Sequence, residues 1–256
     1  MSTDHSACNK AHWNTQAHDW VEAGEEAWAS DMPYWGNWRL PEADLQLLPG
    51  DMSGMRTIEL GCGTGYVSAW MVRRGAIATG IDISTEQLAT ARRLAREHAL
   101  EVTLLEGNAE KTGLPDGAFD FAISEYGAAI WCDPHVWLRE AHRLLRPGGD
   151  LVFLGHHAFV LLTTPADGSA CTDKLHRPYR GMHLQDWREV PVDPGGIEFN
   201  LTMSGWVQLF AETGFAIIRY QELYAPEDAQ GEEHGIPADW ARDYPGEQVW
   251  HLRKSS

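Results

Sequence analysis

Long apolar runs, closely spaced cysteines and positive charge are all scarce in this sequence of 256 residues. Because no stretch of about 18 consecutive apolar residues occurs, we expect neither a membrane-spanning helix nor a membrane partner. The four cysteines stand far apart and form no CxxC pair; they are Cys8, Cys62, Cys132 and Cys171. Their spacing argues for a reducing compartment, and because no histidine spacing typical of ligands occurs, we expect no bound metal.

Acidic residues outnumber basic ones, at 37 aspartates and glutamates against 20 lysines and arginines, so the formal net charge is -17. A chain this negative repels phosphate backbones, and we therefore expect no nucleic-acid partner. Residues 1–13 contain no apolar stretch of signal-peptide kind, so we expect a cytoplasmic protein. The sequence is nearly silent on oligomeric state and leaves a homodimer open.

Apolar strands alternate with helical segments over much of the chain. We predict strands at residues 55–60, 76–82, 101–107, 119–125, 151–155, 215–223 and 248–254. Alternation of this kind implies right-handed crossovers, and hence a doubly wound α/β fold with a mostly parallel sheet. The last two strands have no predicted helix between them, so we expect them to form an antiparallel pair at the edge of that sheet.

The first predicted strand runs into a glycine turn, Gly61-Cys62-Gly63-Thr64-Gly65. Its glycines let the backbone bend sharply and approach a ligand, and the helix that follows points free N–H groups at that ligand. Asp82 ends the second strand, where a carboxylate can accept both hydroxyl hydrogens of a ribose. Because ligands of open parallel sheets bind at the carboxyl ends of the strands, these features together predict a cofactor of adenosine type.

Four motifs within residues 55–155 resemble those of class I S-adenosylmethionine-dependent methyltransferases. They are Glu59-Leu60-Gly61-Cys62-Gly63-Thr64-Gly65, Gly80-Ile81-Asp82-Ile83-Ser84, Gly107-Asn108-Ala109-Glu110 and Arg143-Leu144-Leu145-Arg146-Pro147-Gly148-Gly149. The resemblance implies a Rossmann-like sheet of seven strands with the last one antiparallel. It also implies S-adenosylmethionine as the cofactor and methyl transfer as the reaction.

The resemblance assigns residues of this chain to parts of the cofactor by position. Glu59 and the glycine turn would surround the methionine part, and Asp82 would bind the ribose. The adenine would lie against Ile83 and Ala109, and Ser124 would face the sulfonium. The complete predicted cofactor-binding set is Glu59, Gly61, Cys62, Gly63, Gly65, Asp82, Ile83, Gln87, Asn108, Ala109 and Ser124.

Two other functions stay open. An NAD-dependent oxidoreductase would carry the fingerprint GxGxxG, but here Tyr66 stands in place of the last glycine. Glu59 would also put a negative charge near a pyrophosphate, whereas the same charge suits the amino group of a methionine. The second rival is a protein that binds the cofactor without transferring its methyl group, and no motif excludes it.

Methyl transfer from a sulfonium is an in-line displacement, so the protein mainly has to align donor and acceptor. Glu125 ends the fourth strand and His156 follows the fifth, and we predict both as catalytic residues able to take a proton. The alternatives are that Glu125 only positions the cofactor and that His156 is an ordinary loop histidine. The predicted substrate-binding set is Tyr34, Trp38, Tyr126, Trp131 and His157.

We predict one domain made of four consecutive segments. They are an N-terminal helical cap, a cofactor-binding α/β core, a substrate-pocket insertion, and a C-terminal helix with the last strands, at residues 1–50, 51–155, 156–203 and 204–256. The insertion is too long for a plain connection. Because the chain is so acidic, we expect a small-molecule substrate that is cationic, neutral or aromatic. Basic residues in the insertion leave an anionic group open; they are Lys174, Arg177, Arg180 and Arg188.

Two further segments have a clear composition. Trp13, Trp20 and Trp28 recur at helical spacing, so we predict a helix over residues 12–29 whose tryptophans dock it on the core. The stretch at residues 222–247 holds eight acids and one arginine, and we expect it to be a solvated loop.

Overall fold

Seven strands form a single sheet in the computed structural model, which describes residues 4–255. They are β1 Arg56–Leu60, β2 Ile77–Asp82, β3 Thr103–Glu106, β4 Phe119–Glu125, β5 Leu145–His156, β6 Phe215–Leu223 and β7 Glu247–Lys254. Their order across the sheet is β6-β7-β5-β4-β1-β2-β3. Residues 1–3 of the predicted cap and residue 256 of the predicted C-terminal segment lie outside the described residues.

The sheet is parallel except for β7. Strand β1 pairs in parallel with β2 and β4, β2 with β3, and β4 with β5, whereas β7 runs antiparallel to both β5 and β6. The chain proceeds in opposite directions from β1 and from β4, so the switch point lies between these two strands, where such folds bind ligands. The predicted seven-stranded, doubly wound α/β fold with a reversed last strand is confirmed.

Helices cover both faces of the sheet. They are α1 His5–Gln16, α2 Val21–Ala29, α3 Glu42–Leu45, α4 Tyr66–Arg73, α5 Thr85–Glu97, α6 Ala128–Trp131, α7 Pro134–Leu144, α8 Ala158–Thr163, α9 Met203–Thr213 and α10 Ala238–Asp243. Trp137 of α7 packs in one apolar cluster with Phe153 of β5, and Trp70 of α4 packs in another with Val152. Because neighbouring strand residues point to opposite faces, these clusters lie on opposite sides of the sheet.

None of the helices within residues 4–255 combines the length and the apolar character that a bilayer crossing requires. The longest, α5, has 13 residues.

Helix α5 carries Leu88, Ala91 and Leu94 on one buried face. Its first turn is capped by Ser84, whose hydroxyl accepts from the Gln87 N–H at 3.2 Å. This capping places the start of α5 directly after the tip of β2.

The predicted helix over residues 12–29 is in fact two helices. It begins earlier, because the Asp4 side chain accepts a hydrogen bond from the Ala7 N–H and caps α1. A 3-10 turn at Ala17–Trp20 then separates α1 from α2. Trp28 on α2 is fully buried, and its indole N–H donates to the Thr64 carbonyl oxygen at 2.8 Å. The 3-10 turn therefore divides the predicted helix, and Trp28 of α2 docks on the core as expected.

The acidic stretch at residues 222–247 is not the solvated loop that its composition predicts. It contains a short strand pair, Glu232–Glu233 with Ile236–Pro237, followed by α10. Ile236 and Ala241 are fully buried in an apolar cluster with α8. Glu247, which starts β7, is also fully buried. Apolar residues within the stretch therefore hold it on the core.

Two more short strand pairs lie outside the sheet. Tyr34–Trp35 pairs with Leu40–Pro41 in the N-terminal segment, and Leu184–Asp186 pairs with Ile197–Phe199 in the segment predicted as an insertion. The turn of the first pair, at Gly36 and Asn37, lies at the carboxyl end of β4, where the Gly36 N–H donates to Glu125. The second brings Glu198 to the carboxyl end of β5, where it contacts His156.

Candidate functional site

The glycine turn after β1 is held against two neighbouring segments. The N–H groups of Gly61 and Cys62 both donate to the Ile81 carbonyl oxygen, at 2.8 and 3.0 Å. Gly61 has φ +77°, and a Cβ there would stand 2.6 Å from the Gly127 Cα. The turns after β1 and β4 thus touch each other, and because they do, only glycine fits at position 61. They form one wall of a cavity at the switch point of the sheet.

Asp82 is fixed at the tip of β2 by two backbone N–H groups. Its Oδ2 accepts from Gly63 at 2.7 Å, and its Oδ1 accepts from Ser84 at 2.8 Å. Burial raises the pKa of this carboxyl, although the backbone donors work in the other direction. Asp82 also lines the cavity. The carboxylate is therefore oriented in advance, with lone pairs left for a ligand hydroxyl.

Glu59, on β1, is a second acid at the cavity wall. It is 2% exposed, and its Oε2 accepts from the Ser68 N–H at 2.8 Å and from the Ser68 hydroxyl at 2.5 Å. Burial raises the pKa of Glu59 to about 8, against the effect of these two donors. A cation bound beside it would stabilise its charged form.

Twelve of the eighteen residues predicted for the site line this one cavity. They are Glu59, Gly61, Cys62, Gly63, Asp82, Ile83, Gln87, Asn108, Ala109, Glu125, Tyr126 and Trp131. They come from β1, β2 and β4, from the segments that follow β1, β2, β3 and β4, and from α5. The fold thus brings together residues that are up to 72 positions apart in the chain (Glu59 to Trp131). Their individual contacts with a ligand remain predictions.

Sequence reasoning missed the part of the cavity wall that the N-terminal helices supply. Ser6, Asn9, Trp13 and Trp20 all line it. The Trp13 ring lies 5.8 Å from that of Trp20 and 5.2 Å from that of Trp131. The helical spacing of these tryptophans was a usable signal, but it does not say which of them face the core and which face a ligand.

Asn9 fixes helix α1 over the cavity. Its amide nitrogen donates to the carbonyl oxygens of Trp131 and Ile197, both at 2.9 Å, and its Oδ1 accepts from the Ile197 N–H at 2.8 Å. Asn108 adds a contact, because its Nδ2 donates to the Ser6 hydroxyl at 3.0 Å. Helix α1 is thus bonded to the segments after β3 and β4 and forms the wall of the cavity that lies over the strand ends.

Two predicted cofactor residues lie behind the cavity wall instead. Ser124 is fully buried; its hydroxyl donates to the Leu60 carbonyl oxygen at 2.7 Å and accepts from the Ala129 N–H at 3.1 Å. It joins β1 to the turn after β4 and does not face the cavity. Gly65 is the N-cap residue just before α4, and a Cβ there would meet Ala91 at 3.3 Å. Its small size lets the glycine turn lie close to α5.

Tyr34 and Trp38, predicted to contact substrate, also lie elsewhere. Tyr34 packs on Trp70, with ring centroids 5.5 Å apart, and the Arg39 guanidinium lies 4.3 Å from its ring. It lines a separate groove at the N-terminal segment. Trp38 packs against the apolar cluster of α8 and α10. The short strand pair at residues 34–41 turns both rings away from the cavity.

Neither predicted histidine lines the cavity. His156 contacts Glu198 through its Nδ1 at 2.8 Å; burial works to lower its pKa, but this carboxylate outweighs burial and the pKa is raised. His157 caps α8 by accepting from the Phe159 N–H at 3.2 Å, and burial lowers its pKa. His157 is therefore a helix cap, while His156 lies one layer behind Tyr126, whose ring centroid is 5.1 Å away.

Glu125 does reach the cavity, as predicted from its position at the end of β4. Its Oε2 accepts from the Tyr66 hydroxyl, and its Oε1 accepts from the Gly36 N–H at 3.1 Å. Burial raises the pKa of Glu125 despite these donors. Tyr66, the residue that replaces the last glycine of the NAD fingerprint, therefore orients this carboxylate.

The cavity suits a cofactor that carries positive charge and hydrogen-bond donors. Three acids line it, Glu59, Asp82 and Glu125, and no lysine, arginine or histidine within residues 4–255 does so. The buried Gln87 Oε1 finds no hydrogen-bond partner in the described part of the chain. A Cβ on Gly63 would meet nothing nearer than that oxygen, at 3.9 Å, so the turn leaves room above it. These features fit S-adenosylmethionine and do not fit a pyrophosphate.

Comparison with known proteins agrees with this chemistry. The family model of the methyltransferase domain matches residues 58–153. The chain is 38% identical over 119 residues to a demethylmenaquinone methyltransferase of Thermus thermophilus, which covers 46% of this chain and 53% of that protein. It is 38% identical over 186 residues to a malonyl-[acyl-carrier protein] O-methyltransferase of Pectobacterium atrosepticum, which covers 63% of this chain and 67% of that protein. The chain thus spans about half to two thirds of these relatives.

A solved structure shows the same fold over most of the chain. It is an S-adenosylmethionine-dependent methyltransferase from Mesorhizobium loti, with a TM-score of 0.65, 24% identity, and coverage of 82% of this chain and 95% of that one. The chain belongs to the S-adenosylmethionine-dependent methyltransferase family, with the class I fold. Its cofactor is S-adenosylmethionine.

Proposed function

We propose that the protein transfers a methyl group from S-adenosylmethionine to a small-molecule acceptor. The observation that carries the proposal is the pair of Asp82 and the Gly63 N–H, joined at 2.7 Å at the rim of an acidic cavity. A carboxylate held in this way at the tip of β2 can bind ribose hydroxyls. The relatives support the reaction, since both are named as methyltransferases.

Bound S-adenosylmethionine would supply a methyl group that is already activated on a sulfonium. The chain has to hold the cofactor, exclude water and align the acceptor. Asp82 would bind the ribose, Glu59 the ammonium group, and Ile83 with Ala109 the adenine. Helix α1 would close over the site, because Asn9 bonds it to the segments around Trp131 and Ile197.

The acceptor side of the cavity would be formed by Glu125, Tyr126 and Trp131, together with the tryptophans of the cap. No residue of the segment at 156–203 lines the cavity. Its role would be indirect, since the strand Ile197–Phe199 is bonded to Asn9 of helix α1 and to His156. The acidic lining favours a neutral or cationic acceptor over an anionic one.

We also infer a cytoplasmic protein that binds no nucleic acid, and we leave a homodimer open. Support for the compartment comes from the four cysteines, which are all free in the structure. Support against nucleic acid comes from the formal net charge of -17.

Two measurements test the proposal. Isothermal titration calorimetry should show binding of S-adenosylmethionine and no binding of NADH. Incubation of the protein and the cofactor with a small-molecule extract should then release S-adenosylhomocysteine, detected by mass spectrometry. Binding of NADH alone would overturn the proposal, and binding of S-adenosylmethionine without any turnover would favour the rival that binds the cofactor without transfer.

A further inference from the structure

Glu247 is a buried acid that the sequence motifs do not include. Its side chain has no exposed surface, and its Oε1 accepts from the Tyr126 hydroxyl at 2.7 Å and from the Asn37 N–H at 3.0 Å. Its Oε2 has no hydrogen-bond partner among residues 4–255. A buried carboxylate oxygen without a partner is costly, so a function or a proton at this position is expected.

Tyr126 connects Glu247 to the cavity. It lines the cavity directly after β4, and its backbone has φ +53°, a left-handed conformation that is rare for a residue with a large side chain. Its N–H is bonded to the Leu154 carbonyl oxygen at 3.0 Å, which holds this conformation. Strained residues of this kind cluster at functional sites.

The charged and titratable groups around this pair come from three neighbouring elements. Glu125 lies beside Tyr126 on β4, His156 is paired with Glu247 across β5 and β7, and Glu198 contacts His156. Burial raises the pKa of Glu247 to about 7, although Tyr126 and Asn37 donate to it. Burial and the neighbouring Glu247 raise the pKa of Tyr126 far above its ordinary value, so its hydroxyl stays protonated.

We propose that Tyr126 and Glu247 together accept the proton of the methyl acceptor, and that the acceptor is an aromatic small molecule carrying an O–H or N–H group. This inference rests on the proposed methyltransferase function. It makes Tyr126 a catalytic residue that touches the acceptor, and it makes Glu247 a positioning residue and proton store that acts through Tyr126.

The step balances in atoms and charge. The acceptor oxygen or nitrogen forms a bond to the methyl carbon while the bond between that carbon and sulfur breaks, and the electron pair stays on sulfur. The acceptor proton moves to the Tyr126 hydroxyl oxygen, and the proton that this oxygen carried moves to Glu247 Oε1. Release of the proton from Glu247 to solvent restores the starting state. A carboxyl with a pKa near 7 suits such a role at neutral pH.

The substrate class follows from the wall around Tyr126. Three indole rings line the cavity together with it, those of Trp13, Trp20 and Trp131. Flat aromatic ligands stack on such rings. Because the lining within residues 4–255 contains no lysine, arginine or histidine, the cavity offers no charged partner for an anionic acceptor. A neutral aromatic compound with a weakly acidic proton therefore fits best.

The first test follows the proton of Glu247 without any turnover. Infrared difference spectra of the S-adenosylhomocysteine complex between pH 5 and pH 9 should show a carboxyl band that disappears near pH 7 and is missing in Glu247→Gln. Tyr126→Phe should move this titration to higher pH, because the carboxylate loses a hydrogen-bond donor. Tyr224→Phe is the matched control, since Tyr224 is also bonded to a glutamate, Glu222, but on the surface. An unchanged spectrum in Glu247→Gln would overturn the proposal.

The second test uses hydroquinone, catechol and 2-aminophenol as acceptors with tritium-labelled S-adenosylmethionine. Tyr126→Phe should lower kcat about 100-fold, the typical contribution of a proton acceptor, while KM for the cofactor stays within about 2-fold. Tyr224→Phe should have the same kcat and the same KM for the cofactor as the unchanged protein. A kcat of Tyr126→Phe equal to that of the unchanged protein would overturn the proposed role of Tyr126 and Glu247.

Failure of this inference differs visibly from failure of the proposed function. If the protein binds S-adenosylmethionine but methylates none of the three compounds, the inferred substrate class and the proton role are overturned, while the methyltransferase proposal stands. If the protein binds no S-adenosylmethionine, the proposed function fails, and this inference fails with it. Should Glu247→Gln not fold, Tyr126→Phe still decides both tests.

Discussion

At the scale of single residues, Asp82 is the side chain on which cofactor binding depends most directly. Asp82→Ala should weaken binding of S-adenosylhomocysteine about 10- to 100-fold, because hydrogen bonds to a charged group contribute about 1.5–3 kcal/mol. Isothermal titration calorimetry measures this change. Glu101→Ala, at an exposed position before β3, should bind as the unchanged protein does. Equal affinity in Asp82→Ala would refute the ribose assignment.

Residue types and motif positions predicted the acids of the cavity and the rings of Tyr126 and Trp131, but not the part of the wall that Trp13 and Trp20 supply. Asp82 and Glu125 stand at strand ends, and strand ends can be located from apolar runs. Trp13 and Tyr34 had no such marker, because the side to which a ring points depends on a 3-10 turn and on a two-residue strand pair. Nothing in the sequence distinguishes Glu247 from the other acids of its segment. Its burial follows from the strand register that pairs it with His156.

At the scale of elements, the contact between the turns after β1 and β4 makes a sharp stability prediction. Gly61 and Gly54 have φ +77° and +72°, but a Cβ on Gly61 would clash with Gly127 whereas one on Gly54 would meet nothing within 4 Å. Gly54→Ala should cost about 1 kcal/mol of unfolding free energy through the left-handed backbone alone. Gly61→Ala should cost about 1–3 kcal/mol more through overpacking.

Urea unfolding of the two variants measures both costs. Since both positions share the same backbone strain, their difference isolates the contact between the turns. Equal losses in Gly61→Ala and Gly54→Ala would mean that the two turns do not touch in solution.

Helix α1 depends on Asn9 for its position over the cavity. Asn9→Ala leaves the N–H and carbonyl of Ile197 without their partners, so we expect the cap to loosen at a cost of about 1–3 kcal/mol. Hydrogen exchange should become faster across α1, and binding of S-adenosylhomocysteine should weaken. Thr15→Ala is the control on the same helix, because the Thr15 hydroxyl donates to the Ala11 carbonyl oxygen within α1. Unchanged exchange in Asn9→Ala would show that the cap is held by other contacts.

Among the elements, the long apolar strands were the easiest to predict. Strands β4 and β6 have the predicted bounds, Phe119–Glu125 and Phe215–Leu223. Strand β5 begins at Leu145 and not at residue 151, because the segment Pro147-Gly148-Gly149 forms an irregularity within the strand, opposite Phe119 and Phe121. Sequence alone cannot separate a glycine-rich bulge from a turn, since both need the same residues.

At the scale of the whole molecule, buried acids should make the ligand-free protein less stable as pH rises. Burial raises the pKa of Glu59 to about 8 and that of Glu247 to about 7, so the folded state holds protons that the unfolded chain releases. This contribution to stability is complete below the ordinary glutamate pKa and is lost as pH rises through the raised values. The free energy of unfolding should therefore fall between about pH 5 and pH 8.

Urea unfolding across this pH range checks the sign, and Glu59→Gln should reduce the slope. Glu101→Gln, at an exposed position, should leave the slope unchanged. A slope that is the same in Glu59→Gln and in the unchanged protein would show that Glu59 does not hold a proton in the folded state.

The fold as a whole was more predictable than the site, because alternation of strands and helices restricts topology to few choices. The site depends on contacts between distant parts of the chain: residues 6–20 supply part of the cavity wall, and Glu247 of the last strand is bonded to Tyr126, which lines the cavity. A crystal structure of the protein with S-adenosylhomocysteine tests the assignment of the cavity most directly. We predict the ribose hydroxyls on Asp82, the adenine against Ile83 and Ala109, and the amino-acid end beside Glu59; a ligand bound at any other surface, or absent from this cavity, would contradict the assignment.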